Sequence, residues 1–120
     1  MSKESDIQNS IRLHVSEKHL AVLFRANVGE AWTGNRIEHN HDGSITIYNP
    51  RRLKTGLPTG FSDLFGVAAG GRAVFIEVKS PTGKPSPEQE NFLQQMARLG
   101  ANTGVARGPL EAEKIILSKR

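Results

Sequence analysis

The sequence predicts a mixed α/β fold, and three observations carry that reading. Ile7, Ile11 and Val15 recur every four residues near the N-terminus, which lays one apolar stripe along a helix. Two short apolar segments flank Ala69-Gly70-Gly71, as the arms of a β-hairpin do. Ser86-Pro87-Glu88-Gln89 is a strong helix start, with Ser as cap, Pro at the first position and Gln three residues after the cap. At 120 residues the chain has room for one hydrophobic core, so residues 1–120 are expected to form a single domain.

In chain order, the first helix is expected over about Ser5 to Lys18. His19 to Ala26 is predominantly apolar and reads as a buried strand. Residues 27–36 hold Gly29, Gly34 and Asn35 and read as a loop. Ile37 to Tyr48 carries Asp42-Gly43 between two short segments, a hairpin signal whose second arm alternates well and whose first is weak. Arg51 to Gly60 is basic and rich in breakers, and reads as an irregular loop. Two strands follow, Phe61 to Ala68 and Arg72 to Lys79. The capped helix takes Phe92, Met96 and Leu99 as its apolar face and stops at Gly100. Asn102 to Arg107 is expected as a strand and Pro109 to Leu117 as a last helix.

Composition limits the function classes. The formal net charge is +4, hydrophobic residues make up 37% and cysteine is absent. A basic balance favours a polyanionic partner, because phosphate contacts release condensed counterions. Without cysteine there are no disulfides and no thiolate metal sites, and the cytoplasm is the default compartment. No apolar run approaches the roughly 18–20 residues that span a bilayer, and the polar N-terminus does not read as a secretory signal.

The hairpin around Gly70 carries the chemistry. A turn centred there sets Asp63 opposite Glu77, and side chains so opposed have Cβ atoms about 4.5–5.5 Å apart. Two like charges there destabilise a sheet unless a cation compensates, and a divalent ion between carboxylates does so. Lys79 shares the face of Glu77, while Val74, Ile76 and Val78 point into the core. A slip of one residue would undo the pairing. By itself, Glu-x-Lys fits a solvated strand end better than a catalytic site, and it is the pairing with Asp63 that brings the two readings level.

Gly60-Phe61-Ser62-Asp63-Leu64, Phe75-Ile76-Glu77-Val78-Lys79-Ser80-Pro81-Thr82-Gly83, Ser86-Pro87-Glu88-Gln89 and Gly104-Val105-Ala106-Arg107, in that order, resemble the VRR-NUC family of the PD-(D/E)XK nuclease superfamily. The resemblance spans nearly the whole chain. One departure is Ser62, where the family usually has proline before the catalytic Asp.

The resemblance implies a restriction-endonuclease-like core, a mixed central sheet flanked by helices. It implies a Mg²⁺-dependent endodeoxyribonuclease, with Mn²⁺ able to substitute, that acts on branched DNA such as four-way junctions as a homodimer in a bacterial or phage-infected cell. Asp63, Glu77 and the backbone carbonyl of Val78 would hold the metal, and Lys79 would orient or deprotonate the attacking water. Glu4 resembles the superfamily's acidic residue on the first helix, although a carboxylate near a helix start also suits the dipole. Gln89 resembles a glutamine following the Glu-x-Lys strand, although it also completes a capping box with Ser86. Arg25, Asn27, Arg51, Arg52, Lys54 and Lys84 are candidates for DNA contact, the basic ones also explicable as solvated charges. Two alternatives stand beside this reading: a restriction-type or general repair nuclease of the same superfamily, and a non-catalytic DNA-binding module.

Other signals carry less. His39-Asn40-His41 reads as exposed hairpin residues. His14 and His19 lack zinc-ligand spacing. Trp32 suits either base stacking or a subunit contact.

Overall fold

The computed structural model describes residues 3–26, 31–53 and 56–119. In chain order the elements are α1 (Glu4–Glu17), β1 (Ala21–Arg25), β2 (Ala31–Thr33), β3 (Arg36–His39), β4 (Ile45–Tyr48), β5 (Arg51–Leu53), β6 (Leu64–Ala68), β7 (Ala73–Val78), α2 (Pro87–Arg98), β8 (Asn102–Ala106) and α3 (Pro109–Leu117). They form two compact units, a body of residues 1–26 and 58–120 and a ribbon of residues 27–57.

The body is built on a four-stranded sheet in the order β1-β6-β7-β8. β1, β6 and β7 run antiparallel in turn, and β8 lies parallel to β7, so the sheet is mixed, as the family resemblance implies. One face carries the aliphatic core. Val74, Ile76 and Val78 of β7 are fully buried with Leu64, against Ile7, Ile11 and Val15 of α1 and Ile116 of α3. The four-residue spacing at the N-terminus is therefore the stripe that docks α1 on the sheet.

The other face is aromatic. Phe61, Phe75 and Phe92 pack ring against ring at 4.7–6.0 Å between centroids, which seats α2 on the sheet. Phe65 and Phe24 extend the row across β6 and β1. α2 begins with the full capping box: Ser86 accepts from the Gln89 amide while the Gln89 side chain accepts from the Ser86 amide.

The ribbon departs from the sequence reading. Residues 31–33, within the expected 27–36 loop, form β2, and residues 51–53, within the expected irregular loop, form β5. The two pair antiparallel. β3 and β4 pair in the same register, since Thr33 lies opposite Arg51 and Arg36 opposite Tyr48, three residues further along each strand. The strands were hidden because β5 is Arg-Arg-Leu and β2 is Ala-Trp-Thr. Both are too short to show a period, and their pairing comes from a turn some ten residues away.

Among the described residues no helix is long and apolar enough to cross a membrane.

Candidate active site

The site forms where β6 begins and β7 ends. The register of the hairpin sets Leu64 opposite Ile76, so one step further sets Asp63 opposite Glu77, the pairing a turn on Gly70 requires. Each of the two acids then braces the other's strand. The Val78 amide donates to Asp63 Oδ2 at 2.9 Å, and the Asp63 amide donates to Glu77 Oε1 at 3.2 Å. Lys79 places its Nζ 3.5 Å from Glu77 Oε2.

Ser62 stands where a proline would fix the approach to Asp63. It is buried, and its hydroxyl donates to the Leu64 carbonyl at 2.9 Å, so a side-chain hydrogen bond shapes the turn instead of a ring. The Asp63 carbonyl in turn accepts from the Ala26 amide, which ties this segment to the end of β1.

Glu77 is only 1% exposed, and Phe75 on the same face extends the aromatic layer toward it. Burial, reinforced by the charge of Asp63, pushes the Glu77 carboxyl up to about 7, with Lys79 pulling the other way. Asp63 is also raised, by burial first and by Glu4 in part, against the Val78 amide and Lys79, which lower it. A buried carboxylate repelled by a half-buried one is a poor arrangement for stability alone.

Glu4, at the first turn of α1, joins the group. Its Oε2 accepts from the Ser80 amide at 3.4 Å, and its charge acts on Asp63. Gly83 closes the same corner: a methyl group there would lie 3.2 Å from Ser80 Oγ, and 3.5 Å from both Glu4 Oε2 and Lys79 Cδ. Its carbonyl accepts from the Arg107 guanidinium at 2.8 Å. Arg107 follows β8, whose last carbonyl accepts from the Lys79 amide. Arg107, Ser80 and Gly83 are site members that single-residue charge chemistry does not single out. The only available signal was that they lie in the ordered motifs quoted above.

The other candidates lie elsewhere. Gln89 spends its side-chain oxygen on the cap of α2, and none of its hydrogen bonds among the described residues reaches the acidic pair. Arg25 is exposed at the end of β1, and Lys84 is exposed in the loop between β7 and α2. Arg51 and Arg52 belong to β5 of the ribbon, with Arg51 donating to Asn35 Oδ1 at 2.9 Å. Asn27 and Lys54 lie outside the described residues.

Among the described residues no three His, Asp or Glu side chains group as a ligand set. Two hard carboxylates with backbone and water oxygens suit Mg²⁺, which keeps several waters and takes one or two carboxylates. The desolvated, mutually repelling Asp63 and Glu77 fit such an ion by charge and by donor type.

Comparison with known families gives one match: the VRR-NUC domain model covers residues 3–109. No curated protein sequence matches the chain.

Proposed function

Because the chain belongs to the VRR-NUC family of nucleases, we propose that it is a Mg²⁺-dependent endodeoxyribonuclease that cuts branched DNA, such as a four-way junction, as a homodimer. The observation that carries the proposal is the convergence of Asp63 and Glu77 on one buried corner, with the Lys79 ammonium 3.5 Å from Glu77.

Asp63, Glu77 and the Val78 carbonyl would hold the ion. When bound, Mg²⁺ lowers the pKa of its water and acts as a Lewis acid on the phosphoryl group. The protein supplies the rest. Lys79 orients the attacking water and, as the ammonium, offsets charge on the phosphate; it takes the water's proton only in its neutral amine form. Glu4, tethered to the Ser80 amide, orders solvent on the far side of the pair. In-line attack on phosphorus breaks the bond to the 3′ oxygen and leaves a 5′-phosphate, as the family resemblance implies. A homodimer suits a junction because two symmetric strands need cutting.

The test is a cleavage panel of linear duplex, flap, splayed-arm and four-way DNA, each with Mg²⁺, Mn²⁺ or EDTA. Junctions should be nicked only with metal. Asp63→Ala and Glu77→Ala should each lower the rate by about 10³-fold or more, the scale of losing several kcal/mol of transition-state stabilisation, while junction binding survives. Undiminished cutting in EDTA would remove the metal, and equal cutting of linear duplex would remove the preference for branches.

A further inference from the structure

We propose that the ribbon of residues 31–53 is a contact surface for unpaired DNA, with Trp32 stacking on an exposed base and Arg52, its cross-strand neighbour, holding the adjoining phosphate. The proposal rests on the nuclease reading and adds to it the feature of the substrate that is recognised.

Each ladder of the ribbon carries one arginine-aromatic pair. Trp32 lies directly opposite Arg52 in the β2–β5 ladder. In the β3–β4 ladder the Arg36 guanidinium sits 4.2 Å over the Tyr48 ring, its cross-strand partner. Both aromatic rings face water, Trp32 being 54% exposed and Tyr48 37% exposed. A two-stranded ribbon has no second layer in which to bury such rings and is marginally stable by itself. Exposed aromatics beside guanidinium groups are what sequence-tolerant single-strand binding uses: a ring stacks on any base, and the cation meets the adjoining phosphate.

Charge selects the occupant. By sequence, residues 27–57 carry Arg36, Arg51, Arg52 and Lys54 against Glu30, Glu38 and Asp42, and the basic residues Arg51, Arg52 and Lys54 are clustered. The ribbon's two described acids are engaged locally. Glu38 is paired with Arg36 at 3.1 Å and accepts from the Tyr48 hydroxyl at 3.2 Å, while Asp42 accepts from the Ser44 amide and hydroxyl. A surface that exposes rings and cations is complementary to a polyanion with free base faces.

Trp32 is the sole tryptophan of the chain, so its fluorescence reports on the ribbon alone. The experiment titrates the full chain with a 15-residue oligodeoxythymidylate in EDTA, where nothing is cut, and follows Trp32 emission alongside the anisotropy of a labelled oligonucleotide. A matched duplex is run in parallel. Oligodeoxythymidylate should quench Trp32 strongly and the duplex weakly, with affinity falling as salt rises. Trp32→Ala should weaken single-strand binding about tenfold, Trp32→Phe should restore most of it, and Arg52→Ala should weaken it and flatten the salt dependence. Body melting temperatures should stay unchanged in all three variants.

Binding by anisotropy without quenching, or equal quenching by duplex, overturns the proposal. So does a blue shift of Trp32 that grows with protein concentration in the absence of DNA, which would make a second copy the occupant. The catalytic reading is scored separately: quenching without metal-dependent cleavage sinks the nuclease mechanism and leaves the ribbon contact standing, and the converse result does the opposite.

Discussion

The molecule contains two antiparallel hairpins that hold charged residues in opposite ways. The β6–β7 hairpin lies inside a four-stranded sheet with helices on both faces. It buries Glu77 beside Asp63 and pushes both carboxyls up. Among the described residues the β3–β4 hairpin has no other strand beside it in its sheet, and its side chains are exposed or only half-buried. Its turn acid, Asp42, is pulled below its ordinary range by hydrogen bonds from Ser44. Layers on both sides let a strand hold acids in a costly, fixed geometry, which suits chemistry on a bound phosphate. A two-stranded ribbon of largely exposed side chains cannot hold such a geometry, but it can offer rings and cations to an extended ligand.

The comparison breaks most sharply at one glycine in each region. A Cβ on Gly66, in the middle of β6, would collide with the Val22 carbonyl of the neighbouring strand, and backbone in a central sheet has nowhere to move. Gly66→Ala should cost about 3 kcal/mol or more, lowering the global melting temperature by well over ten degrees or abolishing folding. A Cβ on Gly34 would meet the Ile47 side chain and the Tyr48 carbonyl at 2.5 Å, both within the ribbon. Gly34→Ala should shift Trp32 emission and speed amide exchange in residues 31–53 while leaving body melting within about two degrees. If the two variants melt alike, the units are not independently stable and the contrast fails.

The same contrast explains what the sequence could disclose. The body was legible because its signals are local: the spacing of Ile7, Ile11 and Val15, the cap at Ser86, and a turn at Gly70 that pairs Asp63 with Glu77. The ribbon was half legible, because Asp42-Gly43 marks its turn but nothing in Ala31-Trp32-Thr33 or Arg51-Arg52-Leu53 announces a strand. Those segments pair only because β3 and β4 have already set their register. The aromatic layer of Phe61, Phe75 and Phe92 shows no signal for a related reason: its members lie on a loop, a strand and a helix and share no sequence period. Arg107 went unread as a site residue because its partner is a main-chain carbonyl, and such a bond leaves no trace in side-chain chemistry.

Titration sharpens the comparison at intermediate size. Glu77 has an ordinary value of 4.5 and stands near 7 in the folded chain, so the folded state binds its proton more tightly than the unfolded state. The stability this gives is fully present below about pH 4.5 and is lost as pH rises through about 7. In EDTA the melting temperature should therefore fall across that window, and Glu77→Gln should flatten the fall. Mg²⁺ should raise the melting temperature most above pH 7, where both acids are ionised. Asp42 has the opposite sign, since its lowered value favours the ionised fold, so acid should weaken the ribbon turn while it relieves the body. A metal-free melting curve flat from pH 5 to 8 would contradict the burial of Glu77.

The smallest effect separates positioning from contact at the corner itself. Arg107 reaches the Gly83 carbonyl at 2.8 Å, and Gly83 backs against Glu4, Lys79 and Ser80. The guanidinium thereby pins the loop between β7 and α2 from the neighbouring strand, and the loop in turn sets where the Lys79 side chain and the Glu4 carboxylate stand. A hydrogen bond from a charged donor is worth about 1.5–3 kcal/mol. Only part of that should reach the transition state, because Lys79 keeps its own contact with Glu77. Arg107→Met should thus lower kcat about tenfold with DNA affinity within twofold of the parent, and Arg107→Lys, which keeps one donor within reach of the carbonyl, should recover much of the loss. Were DNA affinity to fall instead, with a shallower salt dependence and an unchanged kcat, Arg107 would be a phosphate ligand like those proposed for the ribbon. The body's corner would then resemble the ribbon in binding its substrate by charge.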